Sequence, residues 1–297
     1  MAHILLDGVL VATDFSLASS VALHYAIVIA GHFGANLYLA HVIPQHAYGL
    51  IPTDEREPAI ENLRARMEEQ MAGLKATSHL VGPPHEVLVD HGDVWPTLFA
   101  MAEKHKINMT VIGTHGPRGV EKMLEGSMGE EILLGAQHPV LMVGPACSAA
   151  PSAEPRLGRI LYATDFSQES EPAMHFACYL AKEFSAALFF LHVVEDIWEE
   201  PLSTGIQGAD FIRLRLLEKH WVIGEGCTPE LHVEFGQPSE CILEVAEELQ
   251  IELIVLGVRS TRYPRVAAHL PGPTSYDVVT RARCPVVVIR GGLRVEK

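Results

Sequence analysis

Short, almost wholly apolar runs alternate along this chain with longer segments in which apolar residues recur every three or four positions. The runs at 8–12, 36–42, 85–90, 109–113 and 140–143 predict strands, and the segments 16–33, 54–77, 93–105 and 127–135 predict helices. Val9-Leu-Val-Ala and Val140-Leu-Met-Val have no polar face, as expected of strands in a parallel sheet covered by helices on both sides. Strand alternating with helix predicts an α/β, doubly wound layer structure. The acidic start of 54–77 places carboxylates near the positive end of a helix and reads as a solvated face.

The pattern then repeats. Val9-Leu-Val-Ala-Thr-Asp-Phe-Ser16 is answered by Ile160-Leu-Tyr-Ala-Thr-Asp-Phe-Ser167, and Leu37-Tyr-Leu-Ala-His-Val42 by Leu188-Phe-Phe-Leu-His-Val193 at the same interval. Val87-Leu-Val-Asp-His-Gly92 faces Leu231-His-Val-Glu-Phe-Gly236, and Met109-Thr-Val-Ile-Gly113 faces Leu253-Ile-Val-Leu-Gly257, both at a slightly shorter interval. His138-Pro-Val-Leu-Met-Val-Gly144 matches Cys284-Pro-Val-Val-Val-Ile-Arg290. A repeat this long is a domain and not a turn of a solenoid. The sequence thus predicts one domain over 1–147, a linker over 148–157 rich in Ala, Ser and Pro, and a second domain over 158–297.

Composition narrows the choice of partner. At 48% hydrophobic and 20% charged, the chain has enough apolar material for two cores, which excludes disorder. A formal charge of −15 repels phosphate backbones and anionic lipid, so neither nucleic acid nor membrane is an expected partner. The five cysteines, Cys147, Cys178, Cys227, Cys241 and Cys284, form no CxxC pair and read as reduced core thiols. The N-terminus has no signal-peptide pattern, and the apolar stretch 21–30 is too short to span a bilayer, so a cytoplasmic location is expected. The chain has 16 histidines but no HExxH or similar spacing, so no metal site is expected. His41 and His192 read as neutral imidazoles bonded to backbone.

In an open α/β sheet, ligands collect outside the carboxyl ends of the strands where chain order reverses. With the first strand central and the fourth beside it, the loops that matter follow Ala12 and Ile112. Ala12-Thr13-Asp14-Phe15-Ser16 admits two readings: Asp14 or Ser16 caps a helix, or Asp14 accepts a hydrogen bond from a ligand. The second loop reads Gly113-Thr-His115-Gly116-Pro-Arg118-Gly119-Val-Glu-Lys122-Met-Leu-Glu-Gly126-Ser127-Met128-Gly129. Glycines ahead of a helix expose backbone N–H donors to an anion, Ser127 adds a hydroxyl, and Arg118 and Lys122 add positive charge. A plain flexible loop is the alternative. His115 either touches phosphate or serves the surface. The motif is neither a Walker loop nor the dinucleotide fingerprint. No nucleophile-and-base arrangement is spelled out, so no catalytic residue is assigned.

These residues carry a resemblance. Both copies resemble universal stress protein domains, through Ala12-Thr-Asp-Phe-Ser and Ala163-Thr-Asp-Phe-Ser, Leu39-Ala-His-Val42, and the Gly-x2-Gly-x9-Gly-Ser spacing at Gly113, Gly116, Gly126 and Ser127. The resemblance implies two tandem Rossmann-like domains, each a five-stranded parallel sheet of order 3-2-1-4-5. It further implies an ATP-binding, stress-response regulatory protein. In that picture Asp14 and the backbone near Val42 meet adenine and ribose. Gly116, Gly126, Ser127 and Met128 surround the phosphates, usually with Mg²⁺. Ala12, Thr13, Gly113, His115 and Arg118 complete the candidate set. A metal-assisted hydrolase in the same cleft, a weak ATPase or small-metabolite esterase, is the alternative. The resemblance also implies pairing of the last strands, 139–143 and 285–289, within one chain, and a homodimer is compatible with it. The second copy departs from the motif, with Ser260 in place of Gly116 and Gly272-Pro273-Thr274 in place of Gly-Ser, and is expected to bind nucleotide weakly or not at all. Arg259, Arg262 and Arg265 weigh the other way.

Overall fold

The computed structural model describes residues 3–77, 83–114, 138–147, 155–195, 228–258, 274–290 and 295–296. The first unit is built on β2 (Gly8–Ala12), α1 (Leu17–Phe33), β3 (Asn36–Pro44), α2 (Gln45–Tyr48), α3 (Arg56–Thr77), β4 (His85–Gly92), α4 (Val94–Lys104), β5 (Met109–Gly113) and β6 (Val140–Val143). Its strands pair in the order β4-β3-β2-β5-β6, all parallel. Val9, Leu10 and Val11 are fully buried, as a central strand with helices on both faces requires. Gln70 on α3 donates to Ser20 Oγ on α1, so these two helices share a face. The right-handed crossover from β4 across to β5 then puts α4 on the other.

Several boundaries differ from the sequence reading. The strands expected over 36–42 and 85–90 continue to Pro44 and Gly92, because the β3–β4 ladder runs on through Ile43↔His91 and Pro44↔Gly92. The segment 54–77 is broken into a 3-10 turn, Thr53–Glu55, and α3. Pro58 is then the third residue of α3, inside the first turn, where its missing N–H has no intrahelical partner to lose. The helix expected over 127–135 lies outside the described residues.

The second unit repeats the first with β7 (Arg159–Thr164), α5 (Glu171–Glu183), β8 (Ala187–Val194), β9 (Glu230–Phe235), α6 (Pro238–Glu248), β10 (Leu253–Gly257), α7 (Thr274–Arg281) and β11 (Val286–Ile289). Its strands are also parallel, in the order β9-β8-β7-β10-β11. The repeat extends to register. Val9 pairs with Leu37 and Met109, and its counterpart Ile160 pairs with Leu188 and Leu253. Thr110 pairs with Val140, and Ile254 with Val286. Each unit has its own core, with Leu37, Leu39, Met109 and Leu141 buried in one and Phe176, Phe190, Leu253 and Val286 in the other.

Two short strands add to the first unit, β1 (His3–Ile4) and β12 (Val295–Glu296), which pair antiparallel. The sequence boundary 158–297 assigns the last residues to the second copy, whereas this pairing groups Val295 and Glu296 with the first unit. Residues 144–147 likewise cluster with the second unit, although the sequence boundary ends the first at 147. Among the described residues no helix is long and apolar enough to cross a membrane. Cys147, Cys178, Cys241 and Cys284 are buried thiols, and Cys227 lies outside the described residues.

Candidate functional site

β2 lies between β3 and β5, so chain order reverses across it and its carboxyl end is the switch point of the sheet. Ala12 pairs with Ala40 on one side and with Ile112 on the other. The ladder to β3 is extended once, by Thr13 N–H donating to Ala40 O at 2.8 Å, and then the chain turns away. β3 runs on past this point, so the backbone of Val42 stands beyond the end of β2.

The turn after Thr13 is dense with local bonds. Phe15 N–H donates to Thr13 Oγ1 at 3.1 Å, and Ser16 N–H donates to Asp14 Oδ1 at 2.9 Å. Ser16 caps α1, its Oγ accepting from Ser19 N–H at 3.1 Å. The two readings of this segment therefore separate: the cap is Ser16, and Asp14 is left exposed at the switch point. His41 reaches across from β3, with Nδ1 2.7 Å from Thr13 O. A carbonyl only accepts, so Nδ1 carries the proton. Phe15 adopts φ +64°, a left-handed conformation that bulky side chains avoid. Its ring lies 5.2 Å from that of His41 and 4.1 Å beneath the Arg66 guanidinium of α3.

The other expected residues divide into three groups. Thr13 and Val42 are buried, and Ala12 is half-buried. Gly113 ends β5, and a Cβ there would lie 2.4 Å from Ala18 C and 2.5 Å from Ser19 N. Its small size is what lets α1 cross β5, a packing role that the sequence pattern does not assign. His115, Gly116, Arg118, Gly126, Ser127 and Met128 lie outside the described residues.

Phe15 and Arg66 are absent from the sequence-based set, although the recurrence of Phe after Thr-Asp in both copies is a visible signal. An aromatic stack at the same end of the sheet is absent from it as well. Tyr48 lies on His91 at 3.7 Å, nearly parallel, with the Arg56 guanidinium 4.7 Å from the Tyr48 ring.

The second unit reproduces the turn. Phe166 N–H donates to Thr164 Oγ1 at 3.0 Å, Ser167 N–H to Asp165 Oδ1 at 2.9 Å, and His192 Nδ1 to Thr164 O at 2.8 Å. Phe166 again has positive φ, +59°, with its ring 4.3 Å from that of His192. The helix start differs, since the first turn after Ser167 is 3-10 (Gln168–Ser170) before α5 begins.

Chemically, the first site offers the two oxygens of an exposed carboxylate at the carboxyl end of a sheet. Those acceptors fit a ligand edge carrying hydroxyl or amine donors, such as the base and ribose of a nucleoside. The glycine-rich stretch after Thr114, where the sequence leads one to expect an anion, lies outside the described residues. Among the described residues no cluster of three or more His, Cys, Asp or Glu is arranged to hold a metal.

Comparison with known proteins agrees with the duplication. The universal stress protein family model matches twice, over residues 7–144 and 157–290. A universal stress protein of Methanocaldococcus jannaschii is 30% identical over 148 residues, covering 46% of this chain and 80% of that protein. Universal stress protein G of Escherichia coli O157:H7 is 33% identical over 78 residues, so 26% of this chain matches about half, 52%, of that relative. The crystal structure of a universal stress protein from Archaeoglobus fulgidus is similar in fold over 96% of both chains, with a TM-score of 0.71 at 22% identity. Two family matches, each spanning the strands of one of the two units, show that this chain belongs to the universal stress protein family as a tandem member.

Proposed function

We propose that the first unit binds an adenine nucleotide, ATP with Mg²⁺, and that the chain serves as a nucleotide-dependent regulator in a stress response. The observation that carries this reading is the Asp14 carboxylate, exposed at the switch point while Ser16 takes over the capping of α1. Asp14 accepts from the donors of the base or ribose, and the Val42 backbone bounds the other side of that group. The glycine-rich stretch after β5, with Gly116, Gly126, Ser127 and Met128, supplies N–H donors and a hydroxyl to the phosphates. Arg118 and Lys122 offset part of the repulsion that a protein of net charge −15 exerts on a polyanion. A divalent cation bound with the triphosphate lowers that charge further.

The second unit keeps the turn but has Ser260 and Pro273 where the first has a glycine and a donor of the nest, so it binds nucleotide more weakly. Calorimetric titration of the full chain with ATP tests both statements. One site per chain is expected, weakened by about tenfold or more but still measurable on Asp14→Ala and unchanged on Asp165→Ala. Two equal sites would overturn the asymmetry, and an absence of binding would overturn the reading. Bound nucleotide recovered as intact ATP after hours supports a regulator, whereas conversion to ADP that disappears in Asp14→Ala supports the hydrolase.

A further inference from the structure

His41 is more than a histidine whose ring nitrogen is satisfied by backbone. Nδ1–H donates to the carbonyl of Thr13, the residue before Asp14, and the ring packs against Phe15, the residue after it. A single imidazole thus brackets Asp14 on both sides in sequence. The bracket acts on a strained conformation, because Phe15 sits at φ +64° with a bulky side chain, and it adds to the local bonds of Phe15 N–H to Thr13 Oγ1 and of Ser16 N–H to Asp14 Oδ1. Losing either contact removes one restraint on this strained backbone, from which the Asp14 carboxylate projects. The residues around the bracket are themselves fixed. Thr13 N–H is bonded to Ala40, the strand neighbour of His41, and the Arg66 guanidinium lies over the Phe15 ring. The second unit carries the same bracket, His192 on Thr164 O and on Phe166, although the sequence following its fourth strand differs.

We infer that His41 is a positioning residue for nucleotide binding: it touches no ligand and acts by holding the Asp14 carboxylate in its binding orientation. The inference rests on the function proposed above, and the test separates the two. ATP affinity is measured by calorimetry on the full chain for His41→Leu, His41→Asn, Asp14→Ala and the double variant His41→Leu/Asp14→Ala, with a melting temperature for each. His41→Leu, which loses the donor, is expected to weaken binding about tenfold. His41→Asn, whose amide places a donor near the position of Nδ1, is expected to recover most of the loss. In the Asp14→Ala background His41→Leu is expected to change affinity less than about twofold, since the two residues act as one unit. If the leucine variant does not fold, His41→Ala takes its place in the same cycle. Unimpaired binding by His41→Leu, effects that multiply in the double variant, or an asparagine no better than leucine each overturn the inference alone. An unmodified chain that takes up no ATP overturns the underlying reading, and this inference with it.

Discussion

Tyr162 on β7 is buried, with its hydroxyl donating to Ser170 O at 2.9 Å and its ring edge-on to Phe190 at 5.0 Å. Burial pushes its pKa up to about 12, against the opposing pull of its bonds to Ser170 and Thr164. The unfolded chain releases this proton near pH 10 and the folded chain holds it to about 12. The resulting stabilisation is complete below pH 10 and lost as pH rises toward 12, on the order of 3 kcal/mol. Cys284, its thiol also pushed up to about 12 by burial and the neighbouring Cys147, acts in the same sense from about pH 9. Tyr162→Phe is expected to cost about 1 kcal/mol at pH 8, where the hydroxyl bond is lost, and to flatten the decline above pH 10. Urea titrations at a series of pH values read both effects, and equal slopes for the two proteins would contradict the assignment. Residue identity alone does not carry this information. The counterpart of Tyr162 in the first unit is Val11, so the repeat holds no hint of a buried hydroxyl. The same is true of Gly113, whose reason for being glycine is a helix backbone 2.4 Å from where its Cβ would stand.

Elements are joined by a device that both units share. Asn108, just before β5, uses Oδ1 to accept from Asp7 N–H at 3.0 Å and Gly8 N–H at 2.9 Å, while its own N–H donates to Gly8 O. This pins the start of β2 to the start of β5 and sets their register. In the second unit Glu252 takes the place of Asn108, with Oε2 accepting from Gly158 N–H at 2.6 Å and its N–H donating to Arg159 O. Asn108→Ala leaves two backbone donors without this partner and is expected to destabilise by about 2–3 kcal/mol. Faster hydrogen exchange at Asp7 and Gly8 locates the effect, and unchanged exchange there would count against it. The strands are legible as apolar runs because central parallel strands are covered on both faces. Their ends are not legible. β3 and β4 extend beyond 42 and 90 because they pair with each other past the end of β2, and an apolar count along one segment cannot register where a neighbour stops.

For the whole molecule, two separate cores mean that a lesion in one is felt there first. Phe190 is fully buried in the second unit, and Phe190→Ala is expected to cost about 3–5 kcal/mol. Amides of β7, β8 and β10 are then expected to lose protection from exchange while those of β2, β3 and β5 keep it. Equal loss in both units would contradict the separation of cores.

Sequence by itself determined the α/β class, the duplication and the place of the turn after Ala12. Each comes from local chemistry: apolar period and the recurrence of Thr-Asp-Phe-Ser. Tertiary structure alone decided that Ser16, and not Asp14, caps α1, that His41 and Arg66 both pack on Phe15, and that Gly113 makes room for a helix. These depend on which strands lie side by side and which helix crosses them. Contacts between residues far apart in the chain leave no trace in the periodicity of any one segment.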